Sequence, residues 1–211
     1  NENFKFSASK NIKLNSINVW AQRLSYVGEL GYELYIQKEN AKEIYDLIIN
    51  SGKDFGLTHC GAHTMDTMRM ESGFLHWGHD ISPEENQYQA GLNFAISYKK
   101  SFDFIGKEKL LKIRGQKLDR RFIMLVLKDS TPGKPLLLHE EPIYLDDKII
   151  GKTTSGNYSF NYNKNLSFGY INSELTNEQL VDKNLYIEIE KKKYLAELLA
   201  KPLKLHNFKN I

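Results

Sequence analysis

Two carboxylates at the ends of a glycine-rich segment are the first candidates for chemistry in this sequence. The segment, residues 26–33, reads Tyr-Val-Gly-Glu-Leu-Gly-Tyr-Glu and carries Glu29 and Glu33. A carboxylate accepts two parallel N–H bonds from an amidine-like edge, such as that of a 2-amino-4-oxo-pyrimidine. Tyr26 or Tyr32 could stack on the flat ring of such a ligand. The same spacing also fits a plain hairpin turn with surface acids, so two interpretations stay open.

A second candidate group combines two histidines, a tryptophan and an aspartate in the segment Phe-Leu-His-Trp-Gly-His-Asp, residues 74–80. His76, His79 and Asp80 are potential metal ligands, but the sequence offers no second ligand cluster to complete a site, so we predict no metal. A pocket lined by Trp77 and a histidine is favoured over a metal centre. The residues alone favour a third interpretation, in which Trp77 fills a core and the histidines bond to the backbone.

Two further segments carry polar groups that could meet a ligand. Adjacent Arg120 and Arg121 could hold an anionic tail because guanidinium pairs bidentately with carboxylate or phosphate; the alternative is an ordinary charged strand start. The run Gly-Lys-Thr-Thr-Ser-Gly-Asn-Tyr-Ser at 151–159 lacks the order of a phosphate-binding loop. We expect it to form a tight turn whose backbone approaches another element. The sequence has no Gly-x-Gly-x-x-Gly and no hydrolase signature.

The elements that must position these residues change character along the chain. The first half predicts two strands around a loop freed by Gly28 and Gly31, followed by amphipathic helices. The second half predicts short strands separated by turn signals, which is typical of a small antiparallel barrel. The fold class is therefore α+β, with a mixed domain over residues 1–117 and a β-barrel over residues 118–211. The predicted strands are 18–26, 32–36, 122–127, 142–145, 148–153, 166–171, 185–190 and 194–200, and the predicted helices are 39–49, 61–72 and 108–113.

Composition excludes several classes of protein. The 211 residues are 41% hydrophobic and 26% charged, which is ordinary for a globular chain and unlike a disordered one. The net charge of +3 is too small for a dedicated nucleic-acid binder, and no apolar run is long enough for a transmembrane helix. We therefore expect no nucleic-acid partner and no membrane partner.

The single cysteine and the first residues bear on location and completeness. Cys60 alone excludes an internal disulfide framework and a Cys-based zinc site, and it fits a reducing, cytoplasmic location. We expect it to be buried as a small hydrophobe. The start, Asn-Glu-Asn-Phe, has neither an initiator Met nor a secretory signal. We expect it to be a cut inside a longer chain.

Five motifs in register resemble the folate-binding aminomethyltransferase family, which includes the T-protein of the glycine cleavage system. The resemblance runs from about Val19 to Pro202. It is carried by Tyr-x-Gly-Glu-x-Gly-Tyr-Glu at 26–33, Asp-Thr-Met-Arg-Met-Glu-Ser-Gly at 66–73, Ala-Gly-Leu at 90–92, Asp-Phe-Ile-Gly-Lys at 103–107 and Thr-Thr-Ser-Gly at 153–156.

Within that family the chain is most similar to the C-terminal region of dimethylglycine and sarcosine dehydrogenases. The Trp-Gly-containing segment 74–80 resembles theirs rather than the Leu-Tyr-Gly of T-proteins, and so does the Thr-Thr-Ser-Gly-x-Tyr-Ser run ending at Ser159. T-proteins also carry an Arg directly before the Asp of their Arg-Asp-x-Leu-Arg-Leu-Glu stretch. Here that position is Met65, a departure that argues against T-protein activity.

The resemblance implies a folate site and names its residues. Glu33 matches the glutamate that holds the amino-pyrimidine edge of the pterin, and Tyr26 matches an aromatic residue near the same ring. Phe94 takes a pocket-lining aromatic position, Trp77 is expected nearby, and Arg121 is expected to approach the anionic part of folate. The family's catalytic aspartate lies N-terminal to the region covered here, so we expect no catalytic residue in this chain.

The resemblance also implies a function. The chain is expected to be the folate-binding portion of a tetrahydrofolate-dependent one-carbon transfer enzyme, of a flavin-linked dehydrogenase that demethylates dimethylglycine or sarcosine. Its ligands would be tetrahydrofolate and a one-carbon unit from a methylated amine, with FAD in an upstream flavin domain as its partner. The alternatives are a glycine cleavage T-protein and a non-catalytic folate-binding module.

Overall fold

A computed structural model describes residues 2–172, 174–181 and 183–204, and the chain divides into two units. The first comprises residues 1–72 and 204–211, and the second comprises residues 73–203. The family boundary at 117/118 stays a prediction, and residues 205–211 of the predicted barrel domain lie outside the described residues.

An antiparallel sheet begins the first unit, with strands β1 (Ser9–Leu14), β2 (Ile17–Gln22) and β3 (Glu33–Tyr35) in that order. Val19 and Ala21 of β2 are buried, whereas Trp20 between them is exposed. Because successive side chains of a strand point to opposite faces, the sheet has one covered apolar face and one solvent-facing side. Strands β2 and β3 are the pair predicted around the glycine-rich loop.

Three of the helices match those predicted from apolar spacing and end signals. They are α1 (Ala41–Gly52), α2 (Ala62–Glu71) and α3 (Lys107–Ile113). Helix α1 buries Ile44 and follows Asn40 at its N-cap position. It ends at Gly52, where a Cβ would lie 2.5 Å from Leu57 Cδ2, so the chain turns back closely at this glycine.

A closed antiparallel barrel dominates the second unit, as the spacing of short apolar strands predicts. Its order is β4-β7-β6-β5-β8-β9, and the short helix α4 (Asn177–Leu180) precedes β8. The strands are β4 (Arg121–Leu127), β5 (Pro142–Leu145), β6 (Lys148–Ser159), β7 (Lys164–Ile171), β8 (Leu185–Ile189) and β9 (Lys192–Leu199).

The barrel interior is filled by aliphatic side chains from alternate strand positions. This alternation arises because every second residue of a barrel strand points inward. Leu180 brings helix α4 into the same core. The buried cluster contains Ile123, Leu125, Leu127, Leu137, Ile143, Ile150, Ile171, Leu180, Leu185, Ile187, Ile189 and Ala196.

Two expectations fail in part. The run 151–159 is not a turn but the body of β6, although its backbone does approach another segment closely. A Cβ at Gly156 would lie 2.5 Å from Leu137 Cγ and 2.8 Å from the Leu138 carbonyl oxygen. Cys60 was expected to be buried and is exposed, because it lies in the irregular segment 57–60 that precedes α2.

Candidate functional site

Glu33 lies on the exposed face of the β1–β2–β3 sheet, beside two aromatic side chains. Tyr35 is two residues further along β3 and pairs with Trp20 across the ladder, so all three side chains share one face. The Tyr35 hydroxyl donates to Glu33 Oε2 at 2.9 Å, and the centroids of the Tyr35 and Trp20 rings are 4.8 Å apart. An acceptor for N–H groups therefore stands next to a flat apolar surface, the combination that a planar heterocycle with an N–H edge requires.

The electrostatics of this pair keep the phenol protonated. The hydrogen bond to Glu33, and after it the negative charge of that carboxylate, raise the pKa of the Tyr35 hydroxyl above its usual value. Loss of the phenol proton would place two negative charges side by side and remove the bond. Tyr35 thus acts as a fixed donor that orients the carboxylate of Glu33.

The loop between β2 and β3 is shaped by its two glycines. Gly28 has φ of 70°, and a Cβ at Gly31 would lie 2.8 Å from the Leu24 carbonyl oxygen. Tyr26 is half-buried in this loop, in the same unit as Glu33. Glu29, the other candidate carboxylate of this segment, is exposed and forms an ion pair with Lys204.

Helix α2 supports the same loop from its C-terminal end. Ser72 Oγ donates to the Val27 carbonyl at 3.2 Å and to the Met68 carbonyl at 2.9 Å. Arg69 is 1% exposed, and its Nε lies 2.7 Å from Asp66 Oδ1 one helical turn earlier. Arg69 therefore packs inside the first unit and pairs within its own helix.

In the second unit, two predicted pocket residues are strongly exposed. Trp77 is 65% exposed in the loop 76–81, so the expectation that it fills a core is wrong. Phe94 is 82% exposed in the short turn Asn93–Ala95. Their exposure leaves both rings accessible to a ligand, and their role in binding stays a prediction.

Three imidazoles gather around the same loop. The His76 and His79 ring centroids are 4.6 Å apart, and His139 lies 6.3 Å from His79. Across residues 2–172, 174–181 and 183–204, no group of three or more His, Cys, Asp or Glu side chains is arranged to hold a metal ion. Nor does any helix in these ranges combine the length and apolar character needed to cross a membrane.

Arg121 is engaged inside the barrel domain. Its Nη1 donates to Asn177 Oδ1 and its Nη2 to the Leu175 carbonyl, which ties the start of β4 to the start of α4. Burial lowers the pKa of the guanidinium, and the charge of Glu178 acts in the opposite direction. Its contact with an anionic folate tail stays a prediction, one that must accommodate these internal bonds.

The neighbouring charged residues are also paired within the second unit. Arg120 Nη2 lies 2.8 Å from Glu85 Oε1, and Gln89 Nε2 donates to Asp119 Oδ1 at 2.6 Å. The bond from Gln89 is the main cause that lowers the pKa of Asp119. Arg120 lines a cavity of about 450 Å³ together with Tyr170. Arg120 and Arg121 therefore bind different partners.

Sequence reasoning missed the residues that surround the predicted ones. Trp20 and Tyr35 were assigned no site role, although apolar alternation in β2 leaves Trp20 on the polar face and so could have singled it out. The hydroxyls of Thr154 and Ser155 bond to Asp80 from far along the chain. No local sequence pattern predicts this contact.

Family models match both parts of the chain. The model described as GCVT N-terminal domain matches residues 1–100, and that described as Glycine cleavage T-protein C-terminal barrel domain matches residues 120–204. A crystal structure of glycine cleavage system aminomethyltransferase T from Bartonella henselae has the same fold, with a TM-score of 0.81 at 18% identity. That likeness covers 97% of this chain and 54% of the other. The chain belongs to the glycine cleavage T-protein family.

Within this family the chain is homologous to dimethylglycine dehydrogenase and to sarcosine dehydrogenase. Mitochondrial dimethylglycine dehydrogenase of Homo sapiens is 36% identical over 202 residues, which is 95% of this chain and 22% of that protein. Mitochondrial sarcosine dehydrogenase of Mus musculus is 33% identical over 171 residues, or 81% of this chain and 18% of that protein. The chain therefore spans about a fifth of the length of these relatives.

Proposed function

We propose that this chain is the folate-binding part of a tetrahydrofolate-dependent one-carbon transfer enzyme, in a flavin-linked dehydrogenase that demethylates dimethylglycine or sarcosine. The observation that carries this proposal is the 36% identity to dimethylglycine dehydrogenase along 95% of the chain. Met65, at the position where T-proteins carry an Arg, favours the dehydrogenase over a free-standing T-protein.

The residues present fit a reduced folate. Glu33 offers an exposed carboxylate whose Oε2 is already oriented by Tyr35, and the donor set of an amino-pyrimidine edge is complementary to a carboxylate. The rings of Trp20 and Tyr35 lie on the same face as that carboxylate and offer a surface for a flat ring. In the second unit, Trp77 and Phe94 are the exposed aromatic candidates.

When bound, tetrahydrofolate supplies the nucleophilic nitrogen that takes up the one-carbon unit. The part of the work assigned to this chain is binding and orientation. Glu33 would fix the pterin edge through two N–H contacts, and aromatic side chains would fix the plane of the ring. Holding a reactant in one orientation removes much of the entropic barrier to its reaction. FAD and the methylated amine belong to other parts of the proposed enzyme. The cytoplasmic location and the upstream flavin domain stay predictions.

The test is calorimetric titration of the chain with tetrahydrofolate. We expect micromolar binding that Glu33→Gln weakens by about 1.5–3 kcal/mol, because a hydrogen bond to a charged acceptor is replaced by one to a neutral amide. Glu39→Gln, which removes an exposed carboxylate that pairs only loosely with Lys38, is the matched control and should leave the affinity unchanged. Equal affinity of Glu33→Gln and the unmodified chain would remove Glu33 from the pterin site.

A chain that binds no tetrahydrofolate needs one further measurement. Circular dichroism separates a folded chain that lacks the affinity from a chain that has not folded. The first result would contradict the proposal that this chain carries the folate site. The second would show that the site requires more of the protein than these residues.

A further inference from the structure

Asp80 is a buried carboxylate that the proposed folate site does not use. It is 1% exposed, and its two oxygens have different partners. Oδ1 accepts from Thr154 Oγ1 at 2.6 Å and from Ser155 Oγ at 2.8 Å, and Oδ2 accepts from the His76 backbone N–H at 2.9 Å. A carboxylate removed from water is costly unless such hydrogen bonds compensate it. Its position here therefore depends on these donors.

The two hydroxyls reach the same oxygen because β6 has a bulge at this point. Thr153 pairs with Gly169 and Ser155 with Phe168, so Thr154 is an extra residue without its own partner in the ladder. In a regular strand, consecutive side chains point to opposite faces. A bulge breaks that alternation and re-aims a side chain. The hydroxyls of Thr154 and Ser155 can therefore both donate to the same carboxylate oxygen, Oδ1 of Asp80.

The other oxygen of Asp80 is hydrogen-bonded to the backbone of the loop 76–81, which is also held by bonds within the loop. Besides the His76 N–H bond to Oδ2, the Asp80 N–H donates to the His76 carbonyl at 2.8 Å, and the Gly78 N–H donates to the Ile81 carbonyl at 2.7 Å. Trp77 lies in this loop with 65% of its surface exposed. One buried residue therefore anchors the backbone that carries an exposed indole.

We propose that Asp80 is a positioning residue: by joining the loop 76–81 to the bulge of β6, it holds the Trp77 indole as a rigid surface for the flat ring system of the folate ligand. This inference rests on the proposed function. A ring that is already ordered before binding loses less conformational entropy when the ligand arrives. Sites of this kind depend on supporting hydrogen bonds behind the residues that touch the ligand.

The test compares Asp80→Ala, which removes both carboxylate oxygens, and Ser155→Ala with the unmodified chain by two independent readouts. The first is the nanosecond fluorescence anisotropy of Trp77, measured in a Trp20→Phe background, since the sequence has two tryptophans. The second is the dissociation constant for tetrahydrofolate, measured by calorimetry with Trp20 in place. We expect both variants to lower the residual anisotropy of Trp77, and we expect Asp80→Ala to weaken binding about tenfold, because the ligand must then order the indole itself.

Asp147→Asn is the matched control, because Asp147 lies in the same unit but its side chain is fully exposed and pairs only with Lys193 at 3.0 Å. It should change neither readout. Unchanged Trp77 anisotropy in Asp80→Ala would overturn the positioning role. Lower anisotropy with unchanged folate affinity would overturn the link between the loop and the ligand.

The two proposals fail in different ways. If the unmodified chain is folded but binds no tetrahydrofolate, the proposed function fails, whereas the anisotropy of Trp77 still decides whether Asp80 orders the loop. If Asp80→Ala does not fold, Ser155→Ala decides instead, because it removes one donor and leaves the carboxylate with its bonds to Thr154 and His76. An unchanged anisotropy in a folded Ser155→Ala then overturns the inference.

Discussion

At the scale of single residues, the environment of Glu33 matters as much as its charge. The carboxylate is exposed, so it is not desolvated and can exchange water for a ligand at little cost. The hydroxyl of Tyr35 removes part of its rotational freedom without neutralising it. A single substitution can therefore separate the orienting bond from the charge itself.

The first prediction concerns the ionisation of that hydroxyl. Glu33→Gln should lower the pKa of Tyr35 toward its usual value, because the substitution weakens the hydrogen bond and removes the negative charge that together raise this pKa. A raised pKa in the folded state means that this contribution to stability is present at neutral pH. It is lost as the pH rises through the folded-state pKa of Tyr35.

Nuclear magnetic resonance of tyrosine labelled with carbon-13 at the ring follows this titration, with Tyr35→Phe to assign the signal. Glu39→Gln should leave the Tyr35 titration where it is. A Tyr35 signal that titrates at the same pH with and without the Glu33 carboxylate would contradict the orienting bond.

At the scale of elements, local patterns predicted most of the barrel but not its irregular strand. The segments 122–127 and 142–145 are apolar and bounded by turn residues, so β4 and β5 were predicted within one residue. Strand β1 is largely polar and forms by pairing with β2, which no local signal records. Strand β6 continues through Gly, Asn and Ser, residues that disfavour strands, because β7 pairs with it along its length.

The candidate site shows the same division. The sequence singles out Glu33 because glycines and tyrosines surround it and because it matches a family glutamate, and its role at the ligand stays a prediction. The role of Asp80 could not be predicted, because its hydroxyl partners are 74 and 75 residues away along the chain. Contacts of that range are set by tertiary structure.

The close approach of β6 to the segment before β5 leads to a second prediction. Gly156→Ala should destabilise the protein by about 1–3 kcal/mol, the usual cost of forcing extra atoms into a packed site. The added Cβ would lie 2.8 Å from the Leu137 carbonyl carbon and 2.8 Å from the Leu138 carbonyl oxygen, both backbone atoms. Urea denaturation measures the change.

Gly61→Ala is the control for that substitution. Gly61 has φ of −83°, which alanine adopts readily, and a Cβ there would meet nothing within 4 Å. It precedes α2 at the N-cap position, where glycine is preferred to alanine, but alanine also lowers the entropy of the unfolded chain; the two effects largely offset each other, and we expect a net change of about 0.5 kcal/mol or less. A loss of equal size in both variants would show that β6 can shift to accept the methyl group.

At the scale of the whole molecule, each of the two units has a core of its own. The first buries Val19, Ala21, Ile44 and Met70, and the second buries the aliphatic cluster of the barrel. Each also contains one tryptophan, Trp20 in the first unit and Trp77 in the second. The chain therefore carries one tryptophan fluorophore in each unit.

These reporters allow a test of how the two cores contribute to stability. Leu125 is fully buried in the barrel, and Leu125→Ala should cost about 2–5 kcal/mol, because the cavity left behind cannot close completely. We expect the unfolding midpoint reported by Trp77 in a Trp20→Phe chain to fall more than that reported by Trp20 in a Trp77→Phe chain. Ile44→Ala leaves a cavity at a fully buried position of the first unit. It should therefore lower the midpoint reported by Trp20 more than the midpoint reported by Trp77. Equal shifts of both reporters in both variants would mean that the two cores unfold together, as one cooperative structure.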